Sequence, residues 1–403
     1  MMDIRLAINA VTLDDLNSQA IRVANVVLKV KEAILSPHST KNPPKFSSSE
    51  IAKLCGVDKS QFPYKVLRDD LPKGEMKGYR REWSLADARI LVSEYRKEYL
   101  RPKIYTTAAI ITVANFKGGV AKTTSAVSLA QGLSLKGHRV LMIDLDPQGS
   151  TTSLFGFLPD SDVLREHTAL GIFEGDQDMI DSAIRHTYWS GIDLVSAAPM
   201  LFSAEFALPS RQMKDPGFEF WRVLECGLDQ ARRDYDVIII DTPPSLSYVT
   251  INALVAAEGV IIPIPPNALD FASSSQFWDL FSDLCNNLYR NSKQKKTFDF
   301  IDVLLSKAEL NTASMIVRQW INESYGNKVI PIEIPKTIVA VNASAEFGTI
   351  YDVEKGSMNA KTYLQAKNAY DQFCDFIDGQ IQAIWKRDFA IMEKFYETET
   401  KSS

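Results

Sequence analysis

The sequence is poor in cysteine and histidine, with four residues of each among 403. They are scattered without the short spacings of metal ligands, which argues against a metal site built from these residues. No apolar run reaches the roughly 18 residues that a membrane-spanning helix needs, and the N-terminus lacks the apolar core of a signal peptide. These absences predict a cytoplasmic protein, because unpaired cysteines suit a reducing compartment.

Charge is unevenly distributed along the chain. The net charge is −5, yet residues 41–103 contain fifteen Lys and Arg against nine Asp and Glu, a local balance of +6. The remainder of the chain therefore carries −11. This asymmetry predicts a basic module for an anionic partner, joined to a larger acidic part. The chain is long enough for two or three domains.

The first 36 residues have a helical pattern, in which apolar residues recur at spacings of three and four. Thr12 and Asp15 are predicted to cap the start of this helix. Its apolar stripe has no partner nearby in the sequence. The stripe could therefore cover a later domain or a second subunit.

Residues 37–103 have the pattern of a winged helix-turn-helix. A capping box at 47–50 starts the first helix, and a second helix is predicted at 59–68 after a glycine turn. The stretch 71–83, with two glycines and a basic second half, is predicted to form a β-wing. A further helix is predicted at 84–100.

This module carries side chains of the types that contact phosphates and base edges. The predicted DNA contacts are Lys59, Ser60, Gln61, Tyr64, Lys65, Arg68, Arg80 and Arg81. A solvated basic subdomain is the alternative. The local charge and the complete helix–turn–helix–wing pattern favour specific DNA binding.

From residue 104 onward, apolar runs alternate with amphipathic helical stretches. The runs lie at 109–114, 139–144, 192–196, 236–240, 259–264, 298–305 and 328–334. Nearly continuous apolar strands separated by helices predict an α/β fold with a doubly wound, mostly parallel sheet. Ligands of such sheets bind at the carboxyl ends of the strands.

The segment 114–124 follows the first of these runs and opens a helix. A strand, a glycine turn and a helix N-terminus predict a phosphate site, because backbone amides and the helix dipole converge there. Lys122 is predicted to reach the β- and γ-phosphates, and Thr123 to bind Mg²⁺. A regular P-loop has glycine where this chain has Phe116 and Ala121. An ordinary Gly-Gly turn before a helix is therefore the alternative.

Two acidic segments follow other strands. Asp144 and Asp146 end the second run and could serve Mg²⁺ and an attacking water, with a strand-terminating turn as the alternative. Asp241 ends four apolar residues in the manner of a Walker B strand, which holds Mg²⁺. The three signals occur in the order that a P-loop nucleoside triphosphatase requires. Together they predict nucleotide binding.

These motifs resemble the deviant Walker A family of ParA and MinD ATPases. Residues 117–124, 144–149 and 240–244 are similar to its three boxes. The resemblance covers about residues 105–380, and the N-terminal region is similar to the extension of large ParA partition ATPases. It implies three domains: a helix for dimerisation at 1–36, a winged helix-turn-helix at 37–103 and a P-loop ATPase at 104–403.

The resemblance also implies roles for individual residues. The catalytic residues would be Lys117, Lys122 and Asp146, where Lys117 reaches the phosphates of a partner subunit and Asp146 positions water. ATP or ADP would be held by Lys117, Gly118, Gly119, Val120, Ala121, Lys122, Thr123, Thr124, Pro266 and Asn267, with residues 339–345 as a second adenine segment. Mg²⁺ would be held by Thr123, Asp144 and Asp241, the two carboxylates mostly through water.

The implied function is a weak, partner-stimulated ATP hydrolase for plasmid or chromosome partition, associated with the nucleoid. Its ATP-bound homodimer, which could extend into filaments, would bind DNA without sequence preference. The DNA-contacting lysine would be Lys336, with Lys355, Lys361 and Lys367 as lesser candidates. A ParB-type adaptor would stimulate hydrolysis, and the N-terminal module would bind an operator for autorepression.

Two alternatives stay open. The chain could be a transcription regulator that uses ATP as a switch with negligible turnover, or a MinD-like ATPase that cycles on membranes. Residues 381–395 carry Trp385, Lys386 and Arg387 at helical spacing, which suits a membrane anchor. The acidic tail that follows disfavours binding to anionic lipid. It favours a packed terminal helix.

Overall fold

The structure is a computed structural model that describes residues 11–35, 41–62, 70–290, 295–337, 348–353 and 360–402. It divides into two compact units, residues 1–42 and 43–403. The second unit joins the two parts predicted on either side of residue 103. The predicted division at that residue therefore stays a prediction about function, and it is not a boundary between compact units.

In the first unit, helix α1 spans Leu13–Leu35. Thr12 and Asp15 cap its start as predicted: the Asp15 amide donates to Thr12 Oγ1 at 3.2 Å, and the Thr12 amide donates to Asp15 Oδ2 at 2.9 Å. The predicted apolar stripe is exposed, since Leu13, Leu16 and Val23 each show more than half of their surface. Such a face gains stability only when another apolar surface covers it.

The second unit begins with the basic module. Helix α2 (Ser48–Leu54) starts at the predicted capping box. Strands β1 (Phe46–Ser47), β2 (Glu75–Lys77) and β3 (Arg80–Trp83) form an antiparallel sheet of order β1-β3-β2, so the predicted wing is a β-hairpin. Helix α3 spans Leu85–Tyr95 and ends five residues before the predicted position.

The second predicted helix of the module is only partly described. Residues 59–61 form a turn, because the Asp58 carboxylate accepts a hydrogen bond from the Ser60 amide at 2.8 Å. A helix begins at Phe62, so the predicted start at residue 59 was three residues early. Residues 63–69 lie outside the described part of the chain. They include the predicted contacts Tyr64, Lys65 and Arg68.

The remaining strands of the second unit form one eight-stranded sheet. These strands are β4 (Ala109–Val113), β5 (Val140–Asp144), β6 (Arg185–His186), β7 (Ile192–Val195), β8 (Val237–Asp241), β9 (Gly259–Ile264), β10 (Phe300–Ala308) and β11 (Val329–Pro335). Their order is β11-β10-β9-β4-β8-β5-β7-β6, and all pairs are parallel except β6–β7. The seven predicted runs are the seven parallel strands, which confirms the predicted fold class. The two-residue edge strand β6 was not predicted.

Helices cover both faces of this sheet. They are α4 (Lys122–Leu135), α5 (Ser150–Leu154), α6 (Leu170–Glu174), α7 (Ala204–Lys214), α8 (Val223–Gly227), α9 (Ala231–Asp234), α10 (Tyr248–Ala256), α11 (Ala268–Leu288), α12 (Thr312–Tyr325) and α13 (Ala360–Ser402). Because side chains alternate along a strand, Ile111 of β4 belongs to the core that includes α4 and α13. Its neighbour Ile110 belongs to the core that includes α6, α7 and α10.

Helix α13 is packed against the unit through Trp385. Ile377, Ile381 and Trp385 are buried, and the Trp385 indole donates to the Thr107 carbonyl at 3.2 Å. This part of the chain is therefore a packed helix, as predicted, and Trp385 is not available as a membrane anchor. Among the helices of the described ranges, none has both the length and the apolar character that crossing a bilayer requires.

Arg89 of α3 joins the module to the C-terminal end of α4. Its guanidinium donates to the carbonyl of Ser134 at 3.1 Å and to that of His138 at 2.8 Å. A Cβ on Gly191 would lie 1.9 Å from the Arg89 guanidinium carbon, so a side chain at residue 191 would displace the arginine from this position. The contact thus fixes the module to two loops of the ATPase part.

A second junction is centred on Asp378 of α13. Its carboxylate pairs with Arg96 at 2.8 Å and is hydrogen-bonded to the buried His138 ring at 2.9 Å, with Lys136 at 3.4 Å. Burial acts to raise the pKa of Asp378, but the hydrogen bond and charge of His138 and the charge of Lys136 outweigh it. The pKa is therefore held below its ordinary range.

Candidate nucleotide site

The loop between β4 and α4 has the backbone of an anion cradle. Gly119 and Ala121 adopt left-handed φ angles of 77° and 69°. No atom lies within 4 Å of the position that a Cβ on Gly119 would take, so this side of the loop is open. A non-glycine residue in that conformation costs about 1 kcal/mol. Ala121 can therefore replace the glycine of a regular P-loop and keep its backbone conformation.

Lys122 is the first residue of α4, and its side chain is buried in the cradle. Its Nζ donates to the Lys117 carbonyl at 2.9 Å. Burial lowers the pKa of the ammonium, an effect that the Asp241 and Asp146 carboxylates oppose. A buried cation at a helix N-terminus is well placed to bind an anion.

Asp144, at the end of β5, is fully buried and already hydrogen-bonded. Its Oδ2 accepts from the Thr152 amide (2.9 Å) and hydroxyl (2.7 Å), and its Oδ1 accepts from the Asp146 amide at 3.1 Å. Burial, and then the charge of Asp241, raise the pKa of Asp144 well above its ordinary value. Asp144 therefore braces the second loop, and this placement gives no support to its predicted role at the metal.

Asp241, at the end of β8, has one oxygen bound and one unsatisfied. Its Oδ2 accepts from the hydroxyls of Thr123 (2.7 Å) and Thr151 (2.9 Å), whereas its buried Oδ1 has no hydrogen-bond partner. Burial raises the pKa of Asp241 to about 6, against the hydrogen bonds from the two threonines and the charge of Lys122.

An unsatisfied buried carboxylate oxygen is costly, and a hydrated cation would satisfy it. Thr123 lines the cavity and Asp241 lies behind it, hydrogen-bonded to the Thr123 hydroxyl, so the pair fits a Mg²⁺ ion that Asp241 would hold through water. Within the described ranges, no three His, Cys, Asp or Glu side chains form a metal-binding group. Mg²⁺ bound beside phosphates needs only one or two protein ligands, which is what this site offers.

The phosphate loop opens on a cavity of about 670 Å³. Predicted residues that line it are Gly118, Gly119, Ala121, Lys122, Thr123, Thr124, Asp146 and Lys336. The sequence patterns did not predict the lining residues Ser150, Ser153, Leu154, Pro244, Lys307, Ile334, Pro335, Thr337 and Tyr370. The cavity thus combines phosphate-loop amides, the cavity-facing carboxylate of Asp146 and three lysines.

The predicted adenine contacts are placed differently. Pro266 and Asn267 do not line the cavity, and Asn267 instead caps α11 by accepting from the Asp270 amide at 2.9 Å. The second predicted segment, 339–345, lies outside the described residues, as does Lys355. Residues 334–337, at the end of β11 and just after it, line the cavity and are further described candidates on that side, while adenine binding by Pro266 and Asn267 stays a prediction.

Lys117 faces away from the phosphate cavity of its own chain. Its ammonium forms an ion pair with Asp270 in the first turn of α11, and its side chain is one-third exposed. Lys117 is not among the described residues that line the cavity. Lys117, which the resemblance predicts to act on a partner subunit's phosphates, is therefore paired with the Asp270 carboxylate of its own chain.

The predicted DNA contacts that the structure describes are all on the surface. Lys59, Ser60, Gln61, Arg80 and Arg81 are exposed, the last two on the wing. Lys336 pairs with Glu309 at 2.6 Å beside the cavity, and Lys367 pairs with Asp371 at 2.8 Å within α13. Lys361 is exposed at the start of α13.

Comparison with known proteins matches the part of the chain that contains the phosphate loop and the two acidic segments. A family model described as an AAA domain matches residues 108–297, from the β4 strand to just beyond α11. The chain is 30% identical over 369 residues to a putative replication protein A of Rhizobium rhizogenes, covering 88% of this chain and 91% of that protein. It is 34% identical over 260 residues to the sporulation initiation inhibitor protein Soj of Bacillus subtilis (strain 168), covering 63% and 95%.

Solved structures are similar as well. Cobyrinic acid a,c-diamide synthase from Mycobacterium smegmatis, with bound ATP analog and magnesium, is 30% identical and has a TM-score of 0.51, over 66% of this chain and 93% of that one. A structure described as a partition protein has a TM-score of 0.64 over 92% of this chain and 98% of that one, at 19% identity. At this identity, the second likeness shows the fold alone.

Proposed function

Because the chain belongs to the ParA family of partition ATPases, we propose that it partitions plasmid or chromosomal DNA through ATP-dependent dimerisation on DNA. The chain is an ATP hydrolase whose cofactors are ATP, ADP and Mg²⁺. One arrangement carries the proposal. The phosphate loop, Thr123 included, and Asp146 line one cavity, Asp241 is hydrogen-bonded to Thr123, and the same compact unit holds a basic winged module.

In the proposed mechanism, the amides of residues 118–124 and the Lys122 ammonium hold the β- and γ-phosphates. Thr123 and Asp241 would hold Mg²⁺, Asp241 having a buried carboxylate oxygen without a hydrogen-bond partner. When bound, Mg²⁺ supplies positive charge that neutralises the phosphates. Asp146 faces the cavity and orients the attacking water by accepting a hydrogen bond from it.

We propose that Lys117 acts across the dimer. In one subunit it is held by Asp270, and the approach of a second subunit would release it to the partner's phosphates, where it supplies charge to the transition state. Lys117→Ala is expected to keep ATP binding and to lose DNA-stimulated and adaptor-stimulated hydrolysis. Equilibrium binding of a fluorescent ATP analogue and a phosphate-release assay measure the two properties separately. Full stimulated hydrolysis by this variant would remove Lys117 from the mechanism.

The winged module is proposed to bind an operator and repress the chain's own operon. Its exposed basic side chains, Lys59 on the turn and Arg80 and Arg81 on the wing, are the described candidates for this contact. The exposed apolar stripe of α1 is proposed to pair with a second copy, which would give the symmetric dimer that a palindromic operator needs. Arg80→Ala combined with Arg81→Ala should weaken operator binding in a footprinting assay and leave ATP hydrolysis unchanged.

Binding to DNA without sequence preference is proposed to involve Lys336 in the ATP-bound dimer, which would place the protein on the nucleoid. Lys336 lies at the nucleotide cavity and pairs with Glu309, so a bound nucleotide could change its availability. A ParB-type adaptor is proposed to stimulate hydrolysis and release the dimer from DNA.

The deciding experiment measures ATP hydrolysis by the full chain with and without non-specific DNA and the protein encoded immediately downstream. Stimulation by both together supports the partition cycle. Turnover that stays at background with both present would favour the second candidate, a regulator that uses ATP only as a switch, for which the winged module is the supporting observation. Co-sedimentation with anionic liposomes tests the membrane-cycling alternative, against which the burial of Trp385 speaks.

A further inference from the structure

Lys307 lies at the phosphate cavity, although none of the sequence motifs contains it. It is the penultimate residue of β10, and it lines the cavity together with Gly119 and Lys122. Among the described residues, only three non-glycine residues have a positive φ, and two of them, Ala121 and Lys307, border this cavity. The chain is therefore strained on both sides of the same site.

The strain at Lys307 belongs to a bulge in β10. Three steps along β10, from Leu305 to Ala308, face two steps along β11, from Glu333 to Pro335. Lys307 occupies the bulge with a φ of 50°. Bulges commonly lie beside functional sites, where they redirect one side chain away from the regular alternation of the strand. A left-handed backbone conformation is unfavourable for lysine. The strain at residue 307 therefore accompanies the change in direction of its side chain.

The redirected side chain reaches the phosphate loop. Lys307 Nζ donates to the Gly119 carbonyl at 2.6 Å, and the preceding Ser306 hydroxyl donates to the Val120 carbonyl at 2.9 Å. Lys122 makes the equivalent contact from the other side, with Nζ on the Lys117 carbonyl. Two ammonium groups from different elements thus hold two carbonyls of one loop, those of Lys117 and Gly119.

The charge of Lys307 is not matched by a carboxylate. Lys336, on the same wall of the cavity, has Glu309 as its ion-pair partner. Within the part of the chain that the structure describes, Lys307 has only the neutral carbonyl of Gly119. A cation in an anion-binding cavity with a neutral partner can turn to a phosphate oxygen without breaking an ion pair.

We propose that Lys307 is a further nucleotide-binding residue: it holds the phosphate loop open before binding and contributes its charge to the bound triphosphate. The proposal rests on the ATP site described above and adds a third element, the bulge of β10, to the phosphate loop and the two acidic loops. Lys122 and Lys307 then form a pair of cations that approach the phosphates from α4 and from β10. Ser306 supports the loop through a neutral hydrogen bond.

The test compares full-length variants by ATP titration, steady-state hydrolysis and thermal unfolding. Lys307→Met is expected to weaken ATP binding about tenfold, the effect of losing one charge-assisted hydrogen bond. Lys307→Arg keeps the charge and should stay within about threefold of the native affinity. Lys307→Gly relieves the left-handed strain, so it should weaken ATP binding like Lys307→Met without lowering the melting temperature.

Two controls separate this proposal from the ATP site as a whole. Lys328 is exposed just before β11, at the amino-terminal end of that strand and not at the carboxyl end that reaches the cavity, and Lys328→Met should leave ATP affinity unchanged. Lys122→Ala should lose nucleotide binding. If Lys122→Ala still binds ATP normally, the ATP site itself is misplaced. If Lys122→Ala fails to bind and Lys307→Met binds like Lys328→Met, only the role of Lys307 is refuted.

A purely structural role for Lys307 gives a different pattern. In that case Lys307→Met and Lys307→Gly would lower the melting temperature in step with ATP affinity, and Lys307→Arg would not restore either. That result would overturn the proposal. Weakened ATP affinity at an unchanged melting temperature, together with rescue by arginine, would support it.

Discussion

The two ends of helix α4 satisfy their backbone groups in opposite ways. At the N-terminal end, the amides of the phosphate loop surround a cavity, and the neighbouring cations Lys122 and Lys307 rest on neutral carbonyls. At the C-terminal end, the carbonyls of Ser134 and His138 are taken by Arg89 from another part of the chain. A helix leaves unpaired donors at one end and unpaired acceptors at the other.

The difference shows which end is reserved for a ligand. Donors left open at the N-terminal end can accept the phosphates of a nucleotide that comes and goes. The acceptors at the C-terminal end are occupied by an arginine of the winged module, next to the Asp378 cluster. One helix thus touches the exchangeable nucleotide at its start and the module at its end. Variants at the two ends should therefore affect different measurements.

The largest effect is expected from Lys122→Ala, at the open end. Loss of the buried ammonium removes contacts to two phosphates, which should weaken ATP binding by about a thousandfold, roughly 4 kcal/mol. Isothermal titration with ATP and Mg²⁺ measures this. The melting temperature without nucleotide should change little, because no ion pair is broken within the described residues. Affinity near that of the native protein would contradict the assignment.

Asp378→Asn, at the closed end, should cost about 3 kcal/mol of unfolding free energy, because it leaves Arg96 and His138 facing an uncharged group in a buried place. The lowered pKa of Asp378 means that its stabilisation is fully present above about pH 4 and is lost as the pH falls through the lower native pKa. The difference in unfolding free energy between the native protein and Asp378→Asn should therefore become smaller at acidic pH. Urea unfolding at several pH values measures it.

Asp375→Asn is the matched control for this change. Asp375 lies one turn earlier on α13 and also pairs with Lys136, but its side chain is about two-thirds exposed. Its removal should cost well below 1 kcal/mol and show little dependence on pH. Equal losses for the two variants would mean that burial of the cluster is not what makes it stabilising.

Asp146→Ala, again at the open end, should spare ATP binding and slow hydrolysis by about a hundredfold, roughly 2.7 kcal/mol, because it removes the group that orients water. Single-turnover phosphate release measures the chemical step separately from binding. Hydrolysis at the native rate would refute the proposed role. A parallel loss of ATP affinity would mean that Asp146 acts mainly by shaping the cavity.

Arg89→Met should have the smallest effect, a loss of about 2 kcal/mol in stability, because it removes the guanidinium hydrogen bonds to the Ser134 and His138 carbonyls. ATP affinity is expected to stay within about threefold of the native value. A larger change in ATP affinity would show that the two ends of α4 are coupled and do not act on separate properties. Lys53→Ala is a suitable control, since Lys53 faces Asp371 at 3.6 Å from an exposed position and should contribute under about 0.5 kcal/mol.

The site at the N-terminal end of α4 could be predicted from the sequence because its residues lie in short, recognisable motifs. Residues 117–124, Asp146 and Asp241 each follow a strand within a few positions, and a parallel sheet brings the ends of its strands together. The sequence did not predict Lys307, because a bulge depends on the register of two strands. Pro266 and Asn267 were placed at the adenine by analogy, and the structure puts Asn267 at a helix cap instead.

The contacts at the C-terminal end of α4 could not be predicted, because they join residues that are far apart in the sequence. Gly191 is an ordinary turn glycine in the sequence, whereas in the structure its left-handed φ of 85° and the nearby Arg89 guanidinium both disfavour a side chain there. Asp144 shows a related limit. Its spacing from Asp146 suits a metal ligand, but the Thr152 hydrogen bonds that occupy it come from the following helix.

Helix α13 packs against the winged module but is translated long after it, which delays completion of that packing during synthesis. Arg96 and Asp378 are 282 residues apart, and the core around Trp83 and Leu91 is continuous with that around Phe373 and Ile377. At roughly 10 residues per second, a ribosome reaches α13 roughly half a minute after it has released the winged module. During that interval the module exists without its final support. If the winged module binds an operator as proposed, nascent chains should acquire that binding late, although the module itself is translated among the first parts of the chain.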